Sequence, residues 1–143
     1  DVSVVGTIAA MGGTGSSGLA DEGWTDDYDG ALDEAEDQGI PVFIDFTGYT
    51  CTNCRAMESN VFPLVEVRER FDEMKLVKLY TDGGVDAQNN QQLQFSLTGN
   101  VALPTYVILN PANEQVLAME LGYIDAEKFV SFLDEGINLY NSR

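Results

Sequence analysis

Apolar and polar positions along the chain fall into two periods. Val42-Phe43-Ile44-Asp45-Phe46 is a short, β-prone apolar run introduced by Pro41, the pattern of a strand buried on both faces, with Asp45 the odd residue in it. Leu76 to Thr81, Thr105 to Leu109 and Val116 to Glu120 read as three further strands. Helical spacing fills the intervals. Tyr28, Leu32 and Ala35 share one face of a first helix, for which Thr25 is the expected N-cap. Asp26 and Asp27 suit its positive end, and Gly39 fits just past its last turn. Cys51 opens a second helix, after a turn at Gly48 and Thr50. Pro63 kinks or restarts it, and it runs to about Glu73. Ala87 to Leu97 is a weaker, Gln/Asn-rich helix in which Gln88 to Gln92 reads as a solvated face. In the last helix, from near Asp125, Phe129, Phe132, Leu133, Ile137 and Tyr140 line one face that packs on a sheet. Asp82 to Asp86 and Asn110 to Asn113 are turns. The order β, α, β, α, β, β, α from Val42 onward predicts an α/β fold, a central mixed β-sheet flanked by helices.

The first residues do not share this patterning. Val2 to Ala10 is apolar enough for a strand, and Gly12 to Gly18 is rich in Gly and Ser. Gly13-Thr14-Gly15-Ser16-Ser17-Gly18 matches G-x-G-x-x-G in form, but Leu19 to Gly23 opens no convincing helix as a dinucleotide site requires. Residues 1–23 are therefore expected to be an N-terminal arm or linker, and residues 24–143 the folded domain. The sequence starts at Asp1 without a charged leader, and Val2 to Met11 is too short to span a bilayer. The expectation is a mature or excised piece that does not itself insert into a membrane.

Composition narrows the function. With 24 acidic against 7 basic residues the formal net charge is −17, a surface that repels phosphate backbones and argues against a nucleic-acid role. Eleven acids and no Lys or Arg occur before Arg55, crowded between Asp21 and Asp37. That stretch reads either as a solvated acidic face or as a charge-steered docking surface. Histidine is absent, which removes Cys-His and Ser-His nucleophilic catalysis and histidine metal sites.

The two cysteines, Cys51 and Cys54, stand at i and i+3 at a helix start. That spacing puts both sulfurs on one side of the first turn, where unpaired N–H groups and the helix dipole stabilise a thiolate. Cys51 is the expected nucleophile and Cys54 the resolving thiol. A structural disulfide, half of a zinc site completed across a dimer, and two inert thiols are the competing readings. Asp45, six residues before Cys51 in an apolar strand, could take the proton Cys54 must lose, its pKa raised by burial; alternatively it reaches solvent at the strand end. Lys78 could face Asp45 from the second strand or lie at a solvated face. Glu58 stands one turn after Cys54 on the same side and could couple to the thiols or be an exposed carboxylate; Arg55 adds a local positive charge.

From Tyr28 to Ile137 the chain resembles the thioredoxin superfamily, most closely the C-terminal periplasmic domain of the transmembrane thiol–disulfide interchange protein DsbD. The resemblance is carried by Pro41-Val42-Phe43-Ile44-Asp45-Phe46, Cys51-Thr52-Asn53-Cys54-Arg55-Ala56-Met57-Glu58, Ala102-Leu103-Pro104-Thr105 and Gly122-Tyr123-Ile124-Asp125-Ala126-Glu127-Lys128-Phe129. It implies a thioredoxin fold, with Pro104 cis and the backbone of Leu103 pairing with a substrate strand beside the cysteines. Asp45 matches the family's buried acid, Glu58 an acid near the site in DsbD-like domains, and Lys78 the lysine that accompanies the buried acid. Thr52 and Asn53, between the cysteines, join Leu103 and Pro104 as expected substrate-facing positions.

The resemblance further implies a periplasmic or otherwise extracytoplasmic disulfide reductase. Such a domain takes electrons from a membrane-embedded thiol pair and passes them to partner protein disulfides or periplasmic thioredoxin-like proteins. It needs no cofactor beyond its own Cys51–Cys54 disulfide. The chain departs from the family where Tyr49-Thr50 replaces the tryptophan common before the first cysteine. Its Thr-Asn dipeptide, which bears on the direction of electron flow, matches neither Gly-Pro nor Pro-His. A thiol oxidase of the same fold and a non-catalytic binding module are the alternatives.

Overall fold

A computed structural model describes residues 23–143. The expected arm, with Val2 to Ala10 and the glycine-rich Gly13 to Gly18, lies outside the described residues except for Gly23.

Five strands and five helices follow one another in the described chain: β1 (Trp24–Thr25), α1 (Tyr28–Gln38), β2 (Val42–Thr47), α2 (Thr52–Asn60), α3 (Val65–Phe71), β3 (Lys75–Tyr80), α4 (Ala87–Thr98), β4 (Thr105–Asn110), β5 (Gln115–Leu121) and α5 (Ala126–Asn141). The sheet order is β1-β3-β2-β4-β5. β3 runs parallel to β1 and β2, and β4 antiparallel to β2 and β5. This is the mixed sheet flanked by helices that the patterning predicts.

Alternation along β2 sorts the core onto two faces. Val42, Ile44 and Phe46 pack with Ala31 and Ala35 of α1 and with Leu93 and Leu97 of α4. Phe43 points the other way, into a cluster with Met57 of α2, Phe71 of α3 and Phe129, Phe132 and Leu133 of α5. Asp45 has the parity of Phe43 and so faces α2 and α5. Its lateral neighbours in register are Lys78 on β3 and Tyr106 on β4.

One local feature differs from expectation. β1 is a two-residue strand that no sequence period announces. It exists because Trp24 reaches the aromatic cluster, stacking on Phe62 and meeting Phe43 and Phe71 edge-on, and its backbone then pairs with Leu76 and Val77. This takes Thr25 into the sheet, so the N-cap of α1 is Asp27, whose carboxylate accepts the Gly30 N–H at 3.0 Å. After Cys51 the helix restarts at Pro63, one of the two outcomes expected there: the break lies between Asn60 and Val65, and the second segment ends at Phe71. Gly39 ends α1 with a φ of 70°, the left-handed conformation expected just past that helix.

Candidate functional site

The loop from β2 to α2 leaves the sheet at Thr47 and delivers Cys51 as the N-cap of α2, in extended conformation. Its sulfur accepts the Cys54 N–H at 3.2 Å, so the first cysteine satisfies one of the unpaired donors of the helix start. Cys54, one turn in, is buried, while Cys51 is partly exposed and Thr52 and Asn53 are exposed. The two cysteines form a disulfide with their Cα atoms 5.2 Å apart. No acidic residue occupies the first turn of α2, in a chain with 24 acids; the positive end of this helix is left without a neutralising carboxylate.

Asp45 lies on the sheet face covered by α2. It is 1% exposed, and its Oδ1 has no hydrogen-bond partner among the described residues. Burial pushes its pKa up to about 7; Lys78 works against that, Glu58 adds to it and Arg55 works against it. Lys78 is buried, and its Nζ sits 5.0 Å from the centroid of the Trp24 ring, a cation–π distance. Glu58 is held by Arg55, whose guanidinium donates to Glu58 Oε2 at 2.9 Å and to Thr47 Oγ1 at 3.0 Å. Arg55 therefore bridges α2 to the end of β2, and it fixes Glu58 within electrostatic reach of Asp45.

Asp82, read in the sequence only as part of a turn, organises the approach to Cys51. Its Oδ1 accepts the Tyr49 N–H at 2.9 Å, and its Oδ2 accepts the Thr50 N–H and the Thr50 hydroxyl, each at 3.3 Å. These bonds, with the Tyr49 N–H foremost, hold the Asp82 carboxyl below the usual carboxylate range. A Cβ on Gly48 would come within 2.6 Å of Asp82 Oδ2 and 3.0 Å of Leu103 Cδ1, so a larger residue here would push the Asp82 carboxylate out of place where this loop, Asp82 and Leu103 meet. Tyr49, 56% exposed, stacks on Tyr80 with ring centroids 3.9 Å apart. No local signal in the sequence marks Asp82, because its partners are 32 and 33 residues away.

Leu103 and Pro104 precede β4, joined by a cis peptide bond. The contact of Leu103 with the Gly48 position brings their loop beside the one that carries Cys51. The fold thus draws Cys51, Cys54, Asp45, Glu58, Leu103 and Pro104 toward one end of the sheet, from three separate stretches of chain. Among the described residues no group of three or more Cys, Asp or Glu side chains is arranged to hold a metal ion, and no helix is long and apolar enough to cross a membrane.

Comparison with known proteins agrees with this architecture. The chain is similar to the oxidised C-terminal domain of DsbD from Neisseria meningitidis, with 21% identity, a TM-score of 0.61, and 90% of this chain and 99% of that one covered. It is also similar to a thioredoxin from Thermus thermophilus, with 20% identity, a TM-score of 0.65, and 78% and 84% covered. At such identities the likeness is one of fold. No curated protein matches the sequence. The model of the family described as thioredoxin-like matches residues 23–111, more than half of the chain and the part that holds both cysteines, Asp45 and Pro104; with its C-x-x-C disulfide on an oxidoreductase fold, the chain belongs to the thioredoxin-like family.

Proposed function

We propose that this protein is an extracytoplasmic thiol–disulfide reductant that passes electrons from a membrane-embedded thiol pair to the disulfides of partner proteins, among them periplasmic thioredoxin-like proteins. The observation that carries the reading is a disulfide at an acid-free helix N-terminus, with a buried carboxyl of raised pKa on the sheet face covered by that helix.

In the reduced protein, Cys51 Sγ is the thiolate. The helix dipole and the Cys54 N–H stabilise it. It attacks one sulfur of the substrate disulfide, forming a mixed disulfide and releasing the other substrate sulfur as a thiolate that takes a proton. Cys54 then loses its proton to Asp45, whose raised pKa suits it to accept a proton near neutral pH. The Cys54 thiolate attacks Cys51 Sγ, the internal disulfide forms, and the second substrate sulfur departs as a thiolate that then takes up a proton. Two electrons have moved from the dithiol to the substrate, with no cofactor beyond the cysteine pair. Glu58, held by Arg55, raises the proton affinity of Asp45. Thr52, Asn53, Leu103 and Pro104 form the surface on which a polypeptide docks, with the Leu103 backbone pairing with the substrate strand.

Substituting Cys51→Ser should abolish reduction of insulin disulfides, and Cys54→Ala should trap a mixed disulfide visible on a non-reducing gel. Persistent activity in C51S would sink the assignment. Equilibration in defined thiol buffers sets the direction: a potential near or below about −220 mV fits a reductant, whereas one near about −120 mV makes the protein an oxidant and reverses the flow.

A further inference from the structure

Helix α4 is rich in polar residues, and one of its glutamines is wholly enclosed: Gln94 has 0% exposure. Enclosing an amide is unfavourable unless its hydrogen bonds are remade. Gln94 remakes them on one side only. Its Nε2 donates to the Ala102 carbonyl at 2.7 Å and lies 3.5 Å from Asn100 Oδ1, while its Oε1 has no partner among the described residues. Turning the amide over would set oxygen against the Ala102 carbonyl oxygen, so the orientation is fixed by chemistry. Asn100 completes the arrangement. Its Oδ1 accepts the Ala102 N–H at 2.9 Å and stands 3.2 Å from the Thr105 hydroxyl, which itself donates to the Ala102 carbonyl at 2.7 Å. Thr98 ties the same loop to α4, its hydroxyl accepting the Asn100 N–H at 3.1 Å and donating to the Gln94 carbonyl at 2.7 Å.

Three of these bonds converge on one residue. Ala102 has its N–H taken by Asn100 and its carbonyl taken by Gln94 and Thr105, all side chains. Ala102 immediately precedes Leu103. An orphaned Gln94 Oε1 makes this a poor way to gain stability, but it is an effective way to set the orientation of a peptide unit. We propose that Gln94 and Asn100 are positioning residues for substrate docking: they orient the Ala102–Leu103 peptide so that Leu103 presents its backbone to an extended polypeptide, and they take no part in the sulfur chemistry. The inference rests on the reductant reading above.

The consequence is a separation between two kinds of substrate. A small aromatic disulfide such as 5,5′-dithiobis(2-nitrobenzoate) needs only Cys51 and Cys54, whereas insulin must also pair with the backbone of Leu103. In Gln94→Met, which fills similar space without a donor, and in Asn100→Ala, kcat/KM for insulin should fall about five- to tenfold, mostly through KM. That is the size expected when one buried hydrogen bond is removed. For the small disulfide, kcat/KM and the reduction potential should stay within about twofold. Asn100→Asp should restore insulin reduction, since every bond Asn100 Oδ1 makes is one in which it accepts. Equal losses on both substrates, or none on either, would overturn the positioning role, as would an Asn100→Asp protein no better than Asn100→Ala. A wild-type protein that reduces neither substrate would instead overturn the reductant reading, and this inference with it. Should Gln94→Met fail to fold, the Asn100 pair decides the question.

Discussion

A carboxyl group enclosed in a β-strand with one oxygen unbonded keeps its proton to a higher pH than one in water, and Asp45 shows what that does to stability. In the unfolded chain it ionises near its ordinary value of 3.8, and in the fold near about 7. Between those values the folded state binds more protons than the unfolded state, so this group makes stability fall as pH rises through the window, with the loss complete above about 7. Asp45→Asn removes that dependence. The stability of the variant relative to wild type, from urea unfolding at a series of pH values, should grow from pH 4 to 7 and level off, by on the order of 4 kcal/mol in all. A gap that stays constant with pH would show that Asp45 is ionised in the fold. The same substitution removes the proposed proton acceptor. The Cys51 mixed disulfide should then persist roughly 100-fold longer in quenched-flow trapping. Asp45 stands out in the sequence as the one acid in an apolar run. Its neighbours are another matter: Lys78 and Tyr106 come beside it only through strand register, from residues 33 and 61 positions away.

Element boundaries follow local rules where local bonds decide them. Asp125 caps α5 through the Lys128 N–H, and Gly39 closes α1; both are legible because the partner lies within one turn. Thr25 fails as a cap for a tertiary reason: docking of Trp24 draws it into β1, and Asp27 takes over. The loop ahead of Cys51 belongs to the second kind. It is shaped by Asp82 from the far end of β3, and its three bonds from Tyr49 and Thr50 have no counterpart within the loop. In Asp82→Ala, hydrogen exchange at the Tyr49 and Thr50 amides should speed up, with Asp82→Asn intermediate because its amide nitrogen cannot accept the Thr50 bonds. Unchanged exchange in Asp82→Ala would mean that the Tyr49–Tyr80 stack alone holds the loop.

Charge acts on the molecule as a whole. A net charge of −17 on 143 residues makes the folded state repel itself. Raising salt from about 0.01 M to about 1 M shortens the Debye length from ~30 Å to ~3 Å, and the melting temperature should rise by several degrees across that range in a neutral salt. A flat or falling curve would mean that the acids are spaced widely enough for ion pairs such as Arg70–Asp134 at 2.9 Å to offset the repulsion. The same screening should slow docking of a basic partner while leaving reduction of an uncharged small disulfide unchanged.

The sequence alone determined the order of strands and helices from α1 onward, a β2 strand buried on both faces, and the pairing of a C-x-x-C motif with a helix start, because each depends on residues within a few positions of one another. The tertiary structure decided what surrounds the sulfurs. Asp82 at the Cys51 loop, Arg55 bridging Glu58 to Thr47, and Gln94 enclosed beneath Ala102 are polar groups whose partners are chosen when helices dock on the sheet. In sequence, Gln94 stands two residues past the Gln88 to Gln92 run that reads as solvated, with nothing to set it apart from those glutamines. Hydrophobic period reports which side of an element is buried, but an enclosed polar side chain obeys no period: it is tolerated wherever the fold brings an acceptor or a donor to meet it.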